Sequence, residues 1–190
     1  MADRQPGREG AIQALVHAAR ELFAERGPAA VSLRDIARRA GVNHGLIHHY
    51  IGSRDDLLRL VFTTSTEAAR EQLTDATDAL DALARLRQIS ARDDDYARLL
   101  AWALLEGHDP AVFHGRSSAL DAVVAAASDD SRDVRLALAV DIVHTLGWKL
   151  FGSYALNAAG LDDEDPDTVR RDAAALVDGL VARAATEVRA

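Results

Sequence analysis

The chain has 190 residues, 48% hydrophobic and 27% charged, enough for one sizeable core or for a small domain joined to a larger one. It has no cysteine, which excludes disulfides, Cys-based zinc sites and thiol nucleophiles; with no secretory h-region and no apolar run near the roughly 18 residues of a membrane span, a cytoplasmic protein is expected. The net charge of −8 is unevenly placed, nine arginines facing seven acidic residues in 1–60 and thirteen basic facing twenty-three acidic beyond, so any electrostatic footprint for phosphate belongs to the N-terminal third.

Apolar residues recur at three- and four-residue steps and strand-like alternation never persists, so the expected class is all-α. Ile12, Leu15, Val16, Ala19, Leu22 and Phe23 form the stripe of a first helix closed by Gly27 and Pro28. Ser32, three residues before Asp35, is an N-cap; a short helix then runs to Ala40, and Gly41 supplies a left-handed C-cap. Asn43 caps a second short helix and Gly52 closes it. Ser53 with Asp56 repeats the capping pattern and opens a long helix through Leu57, Leu58, Val61 and Phe62. Further helices are expected near 54–76, 78–89, 92–106, 110–127, 132–159 and 166–188, to within roughly two to four residues. Asp109-Pro110 and Asp165-Pro166 are N-cap plus N1-proline starts.

Three of the seven histidines fall in "NHGLIHHYIGS", residues 43–53. His44 and His48 have the spacing of two metal ligands on a helix, but no cysteine or HExxH-type carboxylate completes a set, so no metal and no cofactor is expected. Acid/base catalysis would place these rings on an exposed ridge with no pocket to tune them. Two short helices joined by "AGVN" and packed on a longer first helix instead outline a helix-turn-helix, whose second short helix enters the major groove. Ile47, Tyr50 and Ile51 turn to one side of that helix. Gly45, His48 and His49 turn to the other, with His44 and Leu46 on the flanks. Imidazoles, a bare backbone and an aliphatic edge suit base and phosphate contacts.

The stretch "VSLRDIARRAGVNHGLIHHYIGSRDDLL", from Val31 to Leu58, resembles the DNA-binding segment of the TetR family of transcriptional regulators, and "AIQALVHAARELFAERG" resembles that family's opening helix. The resemblance covers about residues 11–62. It implies an N-terminal three-helix helix-turn-helix DNA-binding domain, 1–52, joined to a larger helical effector-binding and dimerisation domain, 53–190. It implies that Arg34 contacts a base or phosphate, that His44, Gly45, Leu46 and His48 face the groove, and that Tyr50 and Arg54 contact phosphate. Asn43 and His49 complete the DNA-facing set. His48, Ile51 and Arg54 stand where the family commonly has tyrosine, phenylalanine and lysine.

In the larger unit, residues 132–159 are apolar almost all round, and the last helix carries a seam through Val169, Ala173, Leu176, Val177, Leu180 and Ala184. Such helices are buried on several sides. The resemblance implies that two pairs of them join as a four-helix bundle, giving a homodimer that reads two half-sites. It also implies a small-molecule effector, for which Phe62, Trp102, Phe113, His144, Trp148 and Phe151 are the candidate lining, with His108 and His114 near a mouth. The expected function is a repressor released from a palindromic operator by a small, largely apolar effector. The competing readings are an interaction protein of the same fold without effector response, and a helical enzyme, for which no nucleophile, base and orienter stand at interpretable spacing.

Overall fold

The computed structural model describes residues 7–109, 118–126 and 132–187. Among the described residues there are nine helices and no strand: α1 (Arg8–Arg26), α2 (Leu33–Ala40), α3 (His44–Tyr50), α4 (Arg54–Glu71), α5 (Ala79–Ala91), α6 (Asp94–Leu105), α7 (Ser118–Ala126), α8 (Arg132–Ala159) and α9 (Pro166–Glu187). The chain is all-α, as its periodicity requires. It forms two compact units, Met1–Ala68 with Asp95–Ser118, and Ala69–Asp94 with Ala119–Ala190. This grouping differs from a division at residue 52, because Leu57, Leu58, Val61 and Phe62 of α4 and Leu99 and Ala103 of α6 share a core with the first three helices.

In the first unit, Leu15, Ala19, Leu22 and Phe23 of α1 meet Ile36 of α2 and Ile47 of α3, all of them buried. Local chemistry sets the ends of these short helices. Ser32 Oγ accepts from the Asp35 amide at 3.2 Å, and Asp35 Oδ2 accepts from the Ser32 amide at 3.3 Å, a reciprocal capping box. Ser53 and Asp56 repeat it on α4 at 3.1 and 3.0 Å. Gly41 closes α2 at φ +65°, a left-handed conformation that favours glycine. Gly27, at φ +81°, combines that requirement with a close approach. A Cβ there would stand 2.7 Å from Glu106 Oε1 and 3.1 Å from the Trp102 indole.

The second unit is built on α8 and α9, packed along one another and joined by residues 160–165. Asp165 caps α9 by accepting from the Thr168 amide at 3.1 Å, directly before Pro166. The buried cluster here is Ala69, Leu73, Ala82, Leu83, Ala119, Val123, Leu138 and Val177. α4 stops at Glu71, short of the expected residue 76, because the Gln72 and Leu73 amides turn back to Ala69 and Arg70 and the Thr74 hydroxyl donates to the Glu71 carbonyl. The start expected at Pro110 lies outside the described residues.

The two capping boxes make a pH prediction. Asp35 is held below its ordinary pKa by the Ser32 hydroxyl, then the Ser32 amide and Arg38, and Asp56 likewise by Ser53 and Arg59. A depressed carboxylate contributes stability that is complete above its unfolded-state pKa and is lost as pH falls through its folded-state value. Thermal melting of the whole chain should therefore be insensitive to these groups from neutrality down to the ordinary carboxylate range and fall below it. Asp35→Asn with Asp56→Asn should lower the melting temperature at neutral pH and flatten the acid limb; an unchanged acid limb would remove the caps from the account.

Candidate nucleic-acid interface

α3 is seated by one residue and presented by the rest. Ile47 is fully buried among α1, α2 and α4 residues, and Ile51 packs against the same core. Asn43 Oδ1 accepts from the Gly45 amide at 3.0 Å, pairing one orphan donor at the helix start. At the other end the Ile51 and Gly52 amides both return to the Ile47 carbonyl, at 2.8 and 3.2 Å. At about 100° per residue, the face opposite Ile47 must look outward. It does: Asn43, His44, Gly45, His48 and His49 are exposed, and Leu46 and Tyr50 are half-buried at its edges.

The rings on this face are ordered by contacts within it. His44 and His48 stand perpendicular with centroids 5.7 Å apart, and His48 Nδ1 lies 3.1 Å from the Gly52 carbonyl. The His49 ring tilts against Tyr50 at 5.4 Å, and the Arg8 guanidinium lies 5.8 Å over the Tyr50 ring, a cation–π arrangement that ties the start of α1 to the end of α3.

The three arginines of α2 differ in how free they are. Arg38 donates to Asp35 at 2.5 Å and Arg39 to Glu21 at 2.9 and 3.1 Å. Arg34 is exposed and makes no ion pair among the described residues. Arg54, at the start of α4, donates through Nη1 to the Ala29 carbonyl at 3.2 Å, which leaves Nε and Nη2 for another acceptor. Val31, Ser32, Leu33, Ser53, Arg54 and Asp55 line one cleft of about 420 Å³, so the N-termini of α2 and α4 border the same space. The capping carboxylates satisfy some of the orphan amides there. Those of Leu33, Arg34, Arg54 and Asp55 lie in the first turns and have no acceptor within their helices. Amides of this kind beside a guanidinium can hold an anionic oxygen.

Two polar features escaped the sequence reading. Glu106, just past α6, accepts from the Ala29 amide at 3.1 and 3.0 Å, and so fixes the loop on which Arg54 also closes. His108 Nε2 lies 3.7 Å from the same carboxylate. In the second unit Arg87 of α5 bridges Asp141 of α8 and Asp178 of α9, the latter at 2.7 Å. These partners are 54 to 91 residues apart, and no local pattern announces such pairs.

The residues expected to line an effector site fall in both units. In the first, Phe62 is fully buried and meets Tyr96 edge-on at 5.8 Å, and Trp102 is 40% exposed beside Gly27. In the second, His144 and Trp148 come together at 5.9 Å, and Phe151 is 62% exposed. Burial holds the His144 pKa below its ordinary value, Asp141 pulls it up, and Arg87 lowers it again. Phe113 and His114 lie outside the described residues. Among the described residues no three His, Asp or Glu side chains gather as a metal site, and no helix is long and apolar enough to cross a membrane.

Comparison with known proteins agrees with this geometry. Residues 15–61 match the family profile described as bacterial regulatory proteins, tetR family. The HTH-type transcriptional repressor Rv3405c of Mycobacterium tuberculosis is 37% identical over 168 residues, covering 86% of this chain and 85% of that protein. The TetR-family regulator SCO0857 of Streptomyces coelicolor superposes with a TM-score of 0.51 at 25% identity, over 95% of this chain and 99% of its own. GusR of Salmonella enterica shares the fold, with a TM-score of 0.64 at 17% identity over 94% and 99% of the two chains. Matched along most of its length by transcriptional regulators, and carrying the helix-turn-helix within its matched segment, the chain belongs to the TetR family of DNA-binding transcriptional regulators.

Proposed function

We propose that this regulator is a cytoplasmic, homodimeric repressor that binds a palindromic operator and leaves it when a small, largely apolar effector binds. The observation that carries the DNA half of the reading is α3 itself. Its one fully buried residue, Ile47, fixes the helix so that His44, Gly45, His48 and His49 form an exposed row. Arg34, Tyr50, Arg54 and the cleft between two helix N-termini supply the phosphate contacts on either side. The repressor sense is supported by Rv3405c, whose name states it.

The dimer half is supported by α8. Val143 and Tyr154 are 71% and 75% exposed there, a large apolar face for a single chain to leave open. Effector release needs differential affinity for two conformations, since equal binding shifts nothing. His144 and Trp148, whose rings come together at 5.9 Å within the second unit, are the proposed contacts.

Selection of bound duplexes from a random pool tests the reading, with a symmetric site expected and no retained DNA as the refuting result. On the selected duplex, Arg54→Ala should weaken binding to all sequences alike and lower the salt slope by about one. A change of sequence preference in that variant would move Arg54 off the phosphate backbone.

A further inference from the structure

We infer that His48 reads the exocyclic amino group of one base in the major groove, adenine N6 or cytosine N4, as a hydrogen-bond acceptor whose tautomer is set by the carbonyl closing its own helix. The inference rests on α3 being the groove-entering helix. Its basis is the 3.1 Å separation of His48 Nδ1 from the Gly52 carbonyl oxygen. A carbonyl can only accept, so the proton of that hydrogen bond sits on Nδ1. The neutral imidazole has a single N–H, and with it on Nδ1 the opposite nitrogen, Nε2, carries a lone pair.

The surroundings hold this assignment in place. Gly52 sits at φ +111°, a conformation that side-chain-bearing residues rarely adopt, and its own amide is bound to the Ile47 carbonyl at 3.2 Å. The carbonyl therefore belongs to a built helix end rather than to a free loop. The His44 ring, one turn earlier, stands perpendicular to His48 at 5.7 Å and limits rotation of the imidazole. Ile47, next in sequence, is fully buried, so α3 cannot roll to redirect His48 without exposing it. His48 is itself exposed, and its Nε2 has no partner among the described residues. Neither His44 nor His49 has a ring nitrogen held by a carbonyl among those residues, so of the three rings His48 is the one whose hydrogen-bonding sense is defined.

An acceptor makes a definite choice in the groove. Guanine N7 and O6, adenine N7 and thymine O4 are acceptors and repel it, whereas adenine N6 and cytosine N4 donate to it. Every base pair has one such amino group, so His48 selects strand sense. At one position of each half-site the contacted strand should carry adenine or cytosine rather than guanine or thymine.

The test uses the full chain and a random duplex pool at about pH 8, above the titration range of free imidazole. Wild type should return one half-site position restricted to adenine or cytosine on one strand. His48→Ala and His48→Leu should lose the restriction at that position and keep the rest of the site. Leucine keeps the bulk of the side chain on the face of α3 but has no acceptor, so α3 stays closed while the reading is lost. Matched thermal melts of the three proteins check that it does. In the selected duplex, replacing that adenine by purine, or that cytosine by 2-pyrimidinone, deletes only the amino group and shows which base is read. The deletion should weaken wild type about three- to tenfold, the range of one net hydrogen bond, and leave both variants unchanged. A selected site in which no position loses such a restriction in the variants, or an equal loss in wild type and His48→Ala when the amino group is deleted, overturns the inference while DNA binding stands. If wild type retains no duplex, the DNA-binding reading fails and the inference fails with it.

Discussion

Replacing Val143 by arginine together with Phe151 by glutamate should convert the protein to a monomer and weaken operator binding by about two orders of magnitude or more, the loss expected when linked binding of two half-sites is removed. The expectation comes from one face of α8. Leu136, Val140, Val143, Phe151 and Tyr154 are 51%, 39%, 71%, 62% and 75% exposed, and their steps of three and four residues, continued through Gly147, place them in one stripe. α9 adds Leu176, 76% exposed. The opposite side of α8 is already used, with Leu138, Asp141 and Leu156 buried. A single chain thus satisfies one side of the helix and leaves the other open, and in the proposed dimer a second copy of the same pair would cover it by two-fold symmetry. Sedimentation equilibrium at micromolar concentration measures the change. Leu80→Glu, at an exposed apolar residue of α5, is the control expected to remain dimeric. A charged pair at 143 and 151 that left the dimer and operator affinity intact would move the interface elsewhere.

How far the sequence could be read depended on the range of the interaction concerned. Ser32 with Asp35, Asn43 with Gly45, Ser53 with Asp56 and Asp165 with Thr168 are contacts across two or three residues, and each was recognisable from residue type and spacing alone. The outward face of α3 followed from period and from the apolar character of Ile47, for the same local reason. α8 was harder. An almost wholly apolar helix reads as buried all round, but spacing cannot distinguish a side packed in its own chain from one left open, and here Leu138 is buried and Val143 exposed. Asp141 was not legible at all: a buried carboxylate in the middle of an apolar helix is tolerable because Arg87, 54 residues earlier, reaches it. The Glu106 contact with Ala29 likewise depends on a loop closure spanning 77 residues.

That buried carboxylate carries the second large effect. Asp141 and Arg87 keep only 3% and 16% of their side-chain surface exposed, whereas Asp178 keeps 46%. Burial opposes the guanidinium charge, yet hydrogen bonds from Arg87 to Asp141 and then Asp178 outweigh it and hold the arginine pKa above its ordinary value. Arg87→Met should therefore strand Asp141 without a cation and destabilise the protein by about 2–4 kcal/mol, at the lower side of the range for a broken buried pair because an edge of the guanidinium still meets water. Asp178→Asn removes a half-exposed partner and should cost roughly 1 kcal/mol or less. The double change Arg87→Met with Asp141→Leu removes the stranded charge along with its partner and should recover most of the loss, since buried ion pairs exchange for apolar ones at little net cost. Urea unfolding at one fixed protein concentration compares the variants, because the proposed dimerisation would couple stability to concentration. If Arg87→Met and Asp178→Asn cost the same, the energetic asymmetry read from burial is wrong. If the double variant is no better than Arg87→Met, Arg87 matters for the packing of its stem between α5, α8 and α9 rather than for its charge.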